Sequence, residues 1–468
     1  MSSIVRLTTF AFIAYITACG SALGASHPDG ELSLEVVDSA TGKPIPVRIH
    51  LSSGRQTSPA PAAKLHPKRS VKLNIPGSAE FGGHFYVDGS TKLPLKLGQY
   101  TFELEATPEY LNKTGQFEIE RHADDSKQIE MKRFVDLEKE GWFGGDLDVN
   151  RNPKDLPLIL RAEGLRVVPN IDAGKTPDDA PLDVDGHLIA RTPYAWNLPV
   201  WLASGKLAGI ELIHRHSLRE GVVDNESDGH PRDKTFFPGS RGNGRWSEAV
   251  YYHVLNCGFR IPPVAGSGSG ANDNPVGTNR VYVHCGPEFS PAAWWVGLEA
   301  GRVFVTNGPL LRPKVDGEPP GYVFRTQPGS PLTLEIGLDL ATRVPVEYLQ
   351  IIKNGAVDAE VRLADWKDKK GKLPPVTFDA GGWFLVRAVT NNTQTYQFAS
   401  TGPYYVEQAD QPRISKKSVQ FFLDWIAENK DRLRKLPNLS ESDLADQLAQ
   451  QDVAQKFFAD LLTRANAE

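Results

Sequence analysis

Two short segments carry side chains whose types and spacing could do chemistry. In Gly145-Asp146-Leu147-Asp148-Val149-Asn150-Arg151, an extended backbone puts Asp146, Asp148 and Asn150 on one face, because strand side chains alternate. Three oxygen-bearing side chains on one side are ligands for a hard cation such as Mg²⁺, Ca²⁺ or Mn²⁺. The same residue types also serve as ordinary strand-ending turns. In Ile210-Glu211-Leu212-Ile213-His214-Arg215-His216, Ile210, Leu212, His214 and His216 share a strand face. Two imidazoles so placed can bind one transition metal such as Zn²⁺. They need further ligands, which the sequence does not locate, and a pair of strand-end histidines is the plainer alternative.

Other segments are less specific. Gly266-Ser267-Gly268-Ser269-Gly270 could cradle an anion on successive backbone N–H groups. No Lys-Ser/Thr follows it, so a flexible turn is the simpler reading. His187, His230, His253 and His284 each stand alone and read as structural. There is no Gly-x-Ser-x-Gly elbow and no His-Glu-x-x-His. Trp196, Trp201, Trp246, Trp294 and Trp295 fit a core, and also a groove that stacks glycans.

These residues must be held by several compact units, since 468 residues exceed one domain. The net charge of −5 argues against a dedicated nucleic-acid binder. A mean hydropathy of −0.35 excludes a multi-span membrane protein. The 42 Gly and 35 Pro, without a period, point to many turns and strands. Arg6, the apolar run from Leu7 to Ala18 and small residues to Ala25 read as a secretory signal peptide or lipoprotein signal over 1–25. Ile16-Thr17-Ala18-Cys19 resembles a lipobox with Cys19 lipidated; Ala22-Leu23-Gly24 offers ordinary cleavage instead. Either places the mature chain outside the cytoplasm, secreted or lipid-anchored at the cell envelope. There Cys257 and Cys285 could pair, or remain two separate buried thiols.

Period-2 patterns at Leu32/Leu34/Val36 and Tyr100/Phe102/Leu104 predict a β-rich unit over 28–133. Alternating helix and strand signals predict an α/β unit over 134–325. Helices are expected over Pro157–Glu163, Trp246–Leu255 and Ala292–Ala300. A β-rich unit follows over 326–408, with an Asn354-Gly355 hairpin. A helical tail spans 412–468: Val419, Phe422, Leu423 and Ile426 keep helical spacing, and Ser440 with Asp443 resembles a capping box.

The run VVDSATGKPIPVRIHL resembles the opening hairpin of transthyretin-like, carboxypeptidase-regulatory-like β-sandwiches, which implies an accessory domain. WFGGDLDVNRNPKDLPLILRAEGLRVVPNI (142–171) resembles the opening of the carbaryl-hydrolase-like (CehA/McbA-like) branch of the PHP metal-dependent hydrolases. LPVWLASGKLAGIELIHRH, RGNGRWSEAVYYHVLNCGFRIPPVAGSGSG and FASTGPYYVE are similar to later blocks. The resemblance implies a multidomain α+β chain: an N-terminal β-sandwich, a shortened, distorted PHP-like α/β barrel, then a C-terminal β segment with terminal helices. It implies a divalent metal (Mg, Mn, Ca or Zn) that activates water for ester or phosphoester hydrolysis. Its candidate ligands are Asp146, Asp148, Asn150, His214 and His216, with Arg151 or Arg215 holding a polarised or anionic oxygen.

The departures from the family are substantial. Its two first-motif histidines fall on Asp148 and Asn150, its later Asn-His pair on Arg215 and His216, and its late Asp-x-His on Ser267-Gly268-Ser269. Only Asp172–Leu198 fills a gap that is long in the family. Swapping imidazole for Asp and Asn changes the preferred metal and weakens the field on a bound water. Two functions therefore stand: a divergent hydrolase of impaired or altered activity acting on a small ester, and a non-catalytic surface binding or scaffold protein, with glycan among its candidate partners, that kept the fold.

Overall fold

The computed structural model describes residues 28–53, 69–73, 75–171, 180–227 and 229–468. The signal segment and Cys19 lie outside the described residues. Among these, no helix is long and apolar enough to cross a membrane. The chain is multidomain and rich in strands, with several sheets and two terminal helices.

The N-terminal unit packs a three-stranded sheet against a six-stranded one. Gly30–Asp38 lies at the centre of the first, between Ser90–Leu95 and Asp124–Met131. Its alternation works as written in the sequence: Leu32, Leu34 and Val36 face inward, and Ser33 and Glu35 face out. They meet Val47, Ile49, Leu51 and Leu104 of the second sheet in one core.

Beyond it, Trp142–Gly145 pairs in parallel with Leu165–Val167, across the helix Leu156–Glu163. On its other side it pairs antiparallel with Arg280–His284. The same sheet continues through Val303–Thr306, Phe398–Thr401, Gly382–Thr390 and Val346–Lys353 to Ala356–Arg362, and totals ten strands. The boundary expected at 325/326 thus falls inside one continuous sheet. The strands on either side of it are far apart in sequence, and they are joined by hydrogen bonds and a shared core. Asn354 and Gly355 close the Val346–Lys353/Ala356–Arg362 hairpin with φ of 51° and 90°, the paired positive values of a tight type I′ turn.

A second, four-stranded sheet holds His187–Ala190, Leu207–Ile213 and Pro263–Ala265 in parallel register. Leu147 N–H donates to the Ala265 carbonyl (3.0 Å) and Val149 bridges Ser269. These contacts tie the end of Trp142–Gly145 to this sheet. Gly242–Asn256 is the helix that packs on Leu207–Ile213.

The terminal helices Lys416–Leu433 and Glu441–Thr463 belong to this core. Phe422, Trp425, Ile426 and Phe458 are buried in the same cluster as Tyr251 and Leu198. The tail therefore caps the central unit. Ser440 Oγ accepts the Asp443 N–H at 3.1 Å, the N-cap bond its spacing predicted.

Candidate functional site

Four strands deliver the polar residues at one end. Trp142–Gly145 stops before Asp146, and Asp146 and Asp148 follow it. Leu207–Ile213 carries Glu211 and is followed by His214, Arg215 and His216. His187–Ala190 leads into Arg191, and Pro263–Ala265 into Ser267 and Ser269. Because three of these strands are parallel, their C-terminal ends lie together, as in α/β sites generally. Asp146, Asp148, Glu211, Arg191, His214, Ser267 and Ser269 are each at most 3% exposed.

Asp148 is held by two guanidinium groups. Arg215 donates Nε (3.1 Å) and Nη2 (2.9 Å) to Oδ2, and Arg191 donates Nη2 to Oδ1 at 3.1 Å. Asp146 Oδ1 accepts the Ser267 N–H (2.9 Å) and its Oδ2 the Gly277 N–H (2.7 Å). Burial pushes its pKa up to about 7, against the pull of these donors; the charge of Asp148 adds to the rise.

Glu211 is fully buried, and neither carboxylate oxygen has a hydrogen-bond partner. Burial, then the charges of Asp148 and Asp146, raise its pKa well above the carboxylate range. Its surroundings favour the neutral, protonated form. Gly266 is required beside it, since a Cβ there would lie 2.5 Å from Asp148 Cβ and 2.6 Å from Glu211 Oε1.

The histidines are committed to protein partners. His214 Nδ1 accepts the His216 N–H at 3.5 Å, and Nε2 lies 3.0 Å from Ser247 Oγ. Ser247 in turn donates to the Asn243 carbonyl (3.1 Å), which leaves its oxygen to accept from His214 Nε2–H. Burial, then the neighbouring His216, drives the His214 pKa well below its usual value, so the ring is neutral. Tyr194 OH accepts from Asn243 Nδ2 (2.8 Å) and is hydrogen-bonded to His216 Nδ1 at 2.9 Å.

Asn150 departs from the expected ligand set. The strand ends at Gly145, so the alternation that would align Asn150 with Asp146 and Asp148 does not extend to it. Its side chain is exposed, and its N–H donates to the Ser269 carbonyl at 2.8 Å. Arg151 turns toward the N-terminal unit, donating to Ser269 Oγ and covering the ring of Phe81. In the Gly266–Gly270 loop the Ser267 N–H already serves Asp146 and the Ser269 N–H serves the Asp148 carbonyl, so neither is left for an external anion.

Of the two readings of the tryptophans, the rings take the core one. Trp294 is fully buried and donates to the Phe143 carbonyl. Trp246 is buried, while Trp196, Trp201 and Trp295 pack partly buried on the same core. Cys257 and Cys285 are both free thiols.

The donor set does not fit the implied divalent metal. Among the described residues, no three of His, Cys, Asp and Glu are arranged to hold one. The reason is chemical: guanidinium groups take up Asp148, backbone N–H groups take up Asp146, and Ser247 and Tyr194 take up the imidazoles. A catalytic metal also needs a position open to water or substrate, and this cluster is closed.

Glu211 and Arg191 escape the sequence reading. Strand alternation assigns Glu211 to the face away from His214, whereas a register shift between Glu211 and Ile213 disturbs the pairing there. The signal that could have found it is a lone carboxylate inside the apolar run Ile-Glu-Leu-Ile. Arg191 sits in the segment Asp172–Leu198, which carries no motif.

No family model matches the chain, and no curated protein matches it. Among solved structures, the fibronectin(III)-like modules of Clostridium thermocellum CbhA are 14% identical, covering 20% of this chain and 94% of that chain at a TM-score of 0.15. A streptococcal ancillary pilin is also 14% identical, covering 26% of this chain and 37% of that one, again at 0.15. Scores this low carry no argument about fold or function.

Proposed function

We propose that this chain is a non-catalytic binding or scaffold protein of the cell envelope, descended from PHP-like metal-dependent hydrolases and no longer dependent on a metal. One observation carries the reading: Asp148, at the position of a family metal ligand and itself 3% exposed, lies between the guanidinium groups of Arg191 and Arg215. Two guanidinium groups supply fixed positive charge where a hydrolase would hold its ion. They neutralise the buried carboxylate and hold two strand ends together, but unlike a metal they cannot carry and acidify a water. The descent rests on the sequence blocks over 142–407, and the envelope location on the signal segment.

The test is elemental mass spectrometry on the chain purified from Ser26 onward, with Asp148→Ala and His216→Ala alongside. The expected result is substoichiometric metal that neither substitution changes, and no turnover of ester or phosphoester substrates. Near-stoichiometric metal lost in both variants would overturn the proposal and restore the hydrolase reading.

A further inference from the structure

A second group of arginines lies outside this cluster, in a cleft of about 580 Å³ where the N-terminal unit meets the two sheets beyond it. That volume is in the range of small-molecule sites. Arg48, Arg219, Arg280 and Arg343 line the cleft, with only Glu105 and Glu163 as lining carboxylates.

The two carboxylates are fully used. Glu105 pairs with Arg48 and Arg219. Glu163 pairs with Arg48 at 2.9 Å and Arg280 at 2.6 Å. Arg343 reaches neither: it donates to the Tyr110 carbonyl (3.4 Å) and to Asn112 Oδ1, and has no carboxylate in ion-pair range among the described residues. Burial lowers its pKa, and the charges of Arg280 and Arg48 lower it further against the pull of Glu105 and Glu163. Glu103, 3.6 Å from Arg219, is outside the lining, and burial beside Glu105 raises its own pKa.

Four guanidinium groups against two lining carboxylates, with Glu103 beside Arg219 as a third, leave net positive charge facing a solvent-reachable cavity. A guanidinium without a carboxylate partner is a strong donor to oxyanions, because its fork matches their geometry. Thr278 and Asn392 add neutral hydrogen-bonding groups to the wall.

We propose that this cleft is a binding site for a small dianion bearing phosphate or carboxylate groups, with Arg343 as its anchor. The site does not rest on descent from a hydrolase or on the state of the Asp148 cluster. It gives the chain a ligand site whose occupancy joins the N-terminal unit to the rest of the molecule.

Isothermal titration and thermal melting of the full chain test this, at constant ionic strength, with inorganic phosphate in one arm and malonate in the other. Saturable binding of at least one, with a matching rise in Tm, is expected. Arg343→Gln should weaken it by roughly tenfold or more, and Arg343→Lys by less, because Lys keeps the charge and loses the fork. Thr278→Asp, which adds a like charge to the wall without touching an arginine, should also abolish binding and serves if Arg343→Gln does not fold. Arg325→Gln, on the exposed surface beside Asp410, should leave it unchanged. Phosphate alone binding would assign the site to phosphate-bearing ligands, and malonate alone to carboxylates. No saturable binding of either, or binding indifferent to Arg343→Gln and Thr278→Asp, would overturn the proposal.

Discussion

Replacing Asp148 by Asn keeps the shape of the side chain and removes the negative charge that Arg191 and Arg215 share. The guanidinium groups then face each other with side-chain exposures of only 2% and 14%. Breaking a buried pair by removing one partner costs about 3–5 kcal/mol, because the remaining charge is left uncompensated. For a cooperative unit of 150–250 residues, each kcal/mol moves Tm by about 2–4 °C. The transition that melts the central sheets should therefore fall by roughly 6–20 °C in Asp148→Asn. Arg191→Met added to Asp148→Asn should recover part of the loss, since it removes one of two like charges brought together there. Differential scanning calorimetry with and without a chelator measures both effects. The wild-type Tm should not respond to the chelator. A wild-type Tm that drops on chelation to the value of Asp148→Asn would refute the reasoning, because it would make the carboxylate a metal ligand rather than an ion-pair partner.

The remaining predictions are simpler. Glu211 has a folded pKa raised above its unfolded value, so the folded state holds its proton while the unfolded state loses it near pH 4.5; stability from this group declines as pH rises above that. Glu211→Gln should accordingly gain stability over wild type between pH 5 and pH 8 in denaturant titrations, and a constant difference across that window would contradict a neutral buried acid. Asp146, with a pKa near 7, should contribute the same sign of dependence between about pH 4 and 7. Trp425→Ala removes a side chain 1% exposed that packs against His230, Phe421 and Phe422, and should cost about 3–5 kcal/mol, read as a lower Tm of the central unit; an unchanged Tm would mean the tail is not part of that core. Peptide mapping without reduction should find no Cys257–Cys285 peptide, and both thiols should react slowly at pH 8, because burial pushes Cys285 up to about 11 and Cys257 higher still.

Local chemistry made much of the molecule legible from its residues. Leu32, Leu34 and Val36 alternate, and they form a half-buried strand because the pleat permits nothing else for that pattern beside a core. Asn354-Gly355 turns a hairpin because both residues tolerate positive φ. Ser440 caps a helix because its hydroxyl reaches the N–H three residues on. The two chemistry-bearing segments were also legible: Asp146, Asp148, His214 and His216 all reach one end of the central strands. What they do there was not. Asn150 needed strand alternation to continue past Gly145, and the strand stops where its neighbours stop. Glu211 meets Asp148 beside Gly266, a neighbourhood that no single strand encodes.

The sequence by itself determined the elements, their amphipathic faces and the two polar segments, because those follow from interactions a few residues apart. Only the tertiary structure decided that a ten-stranded sheet crosses an apparent domain boundary, that Arg191 and Arg215 close on Asp148, and that Arg343 faces the cleft with no carboxylate in ion-pair range among the described residues. The residues of those contacts lie from dozens to more than two hundred positions apart. Their partners are chosen by packing and by the cost of burying an unpaired charge, and neither is visible until the chain has folded.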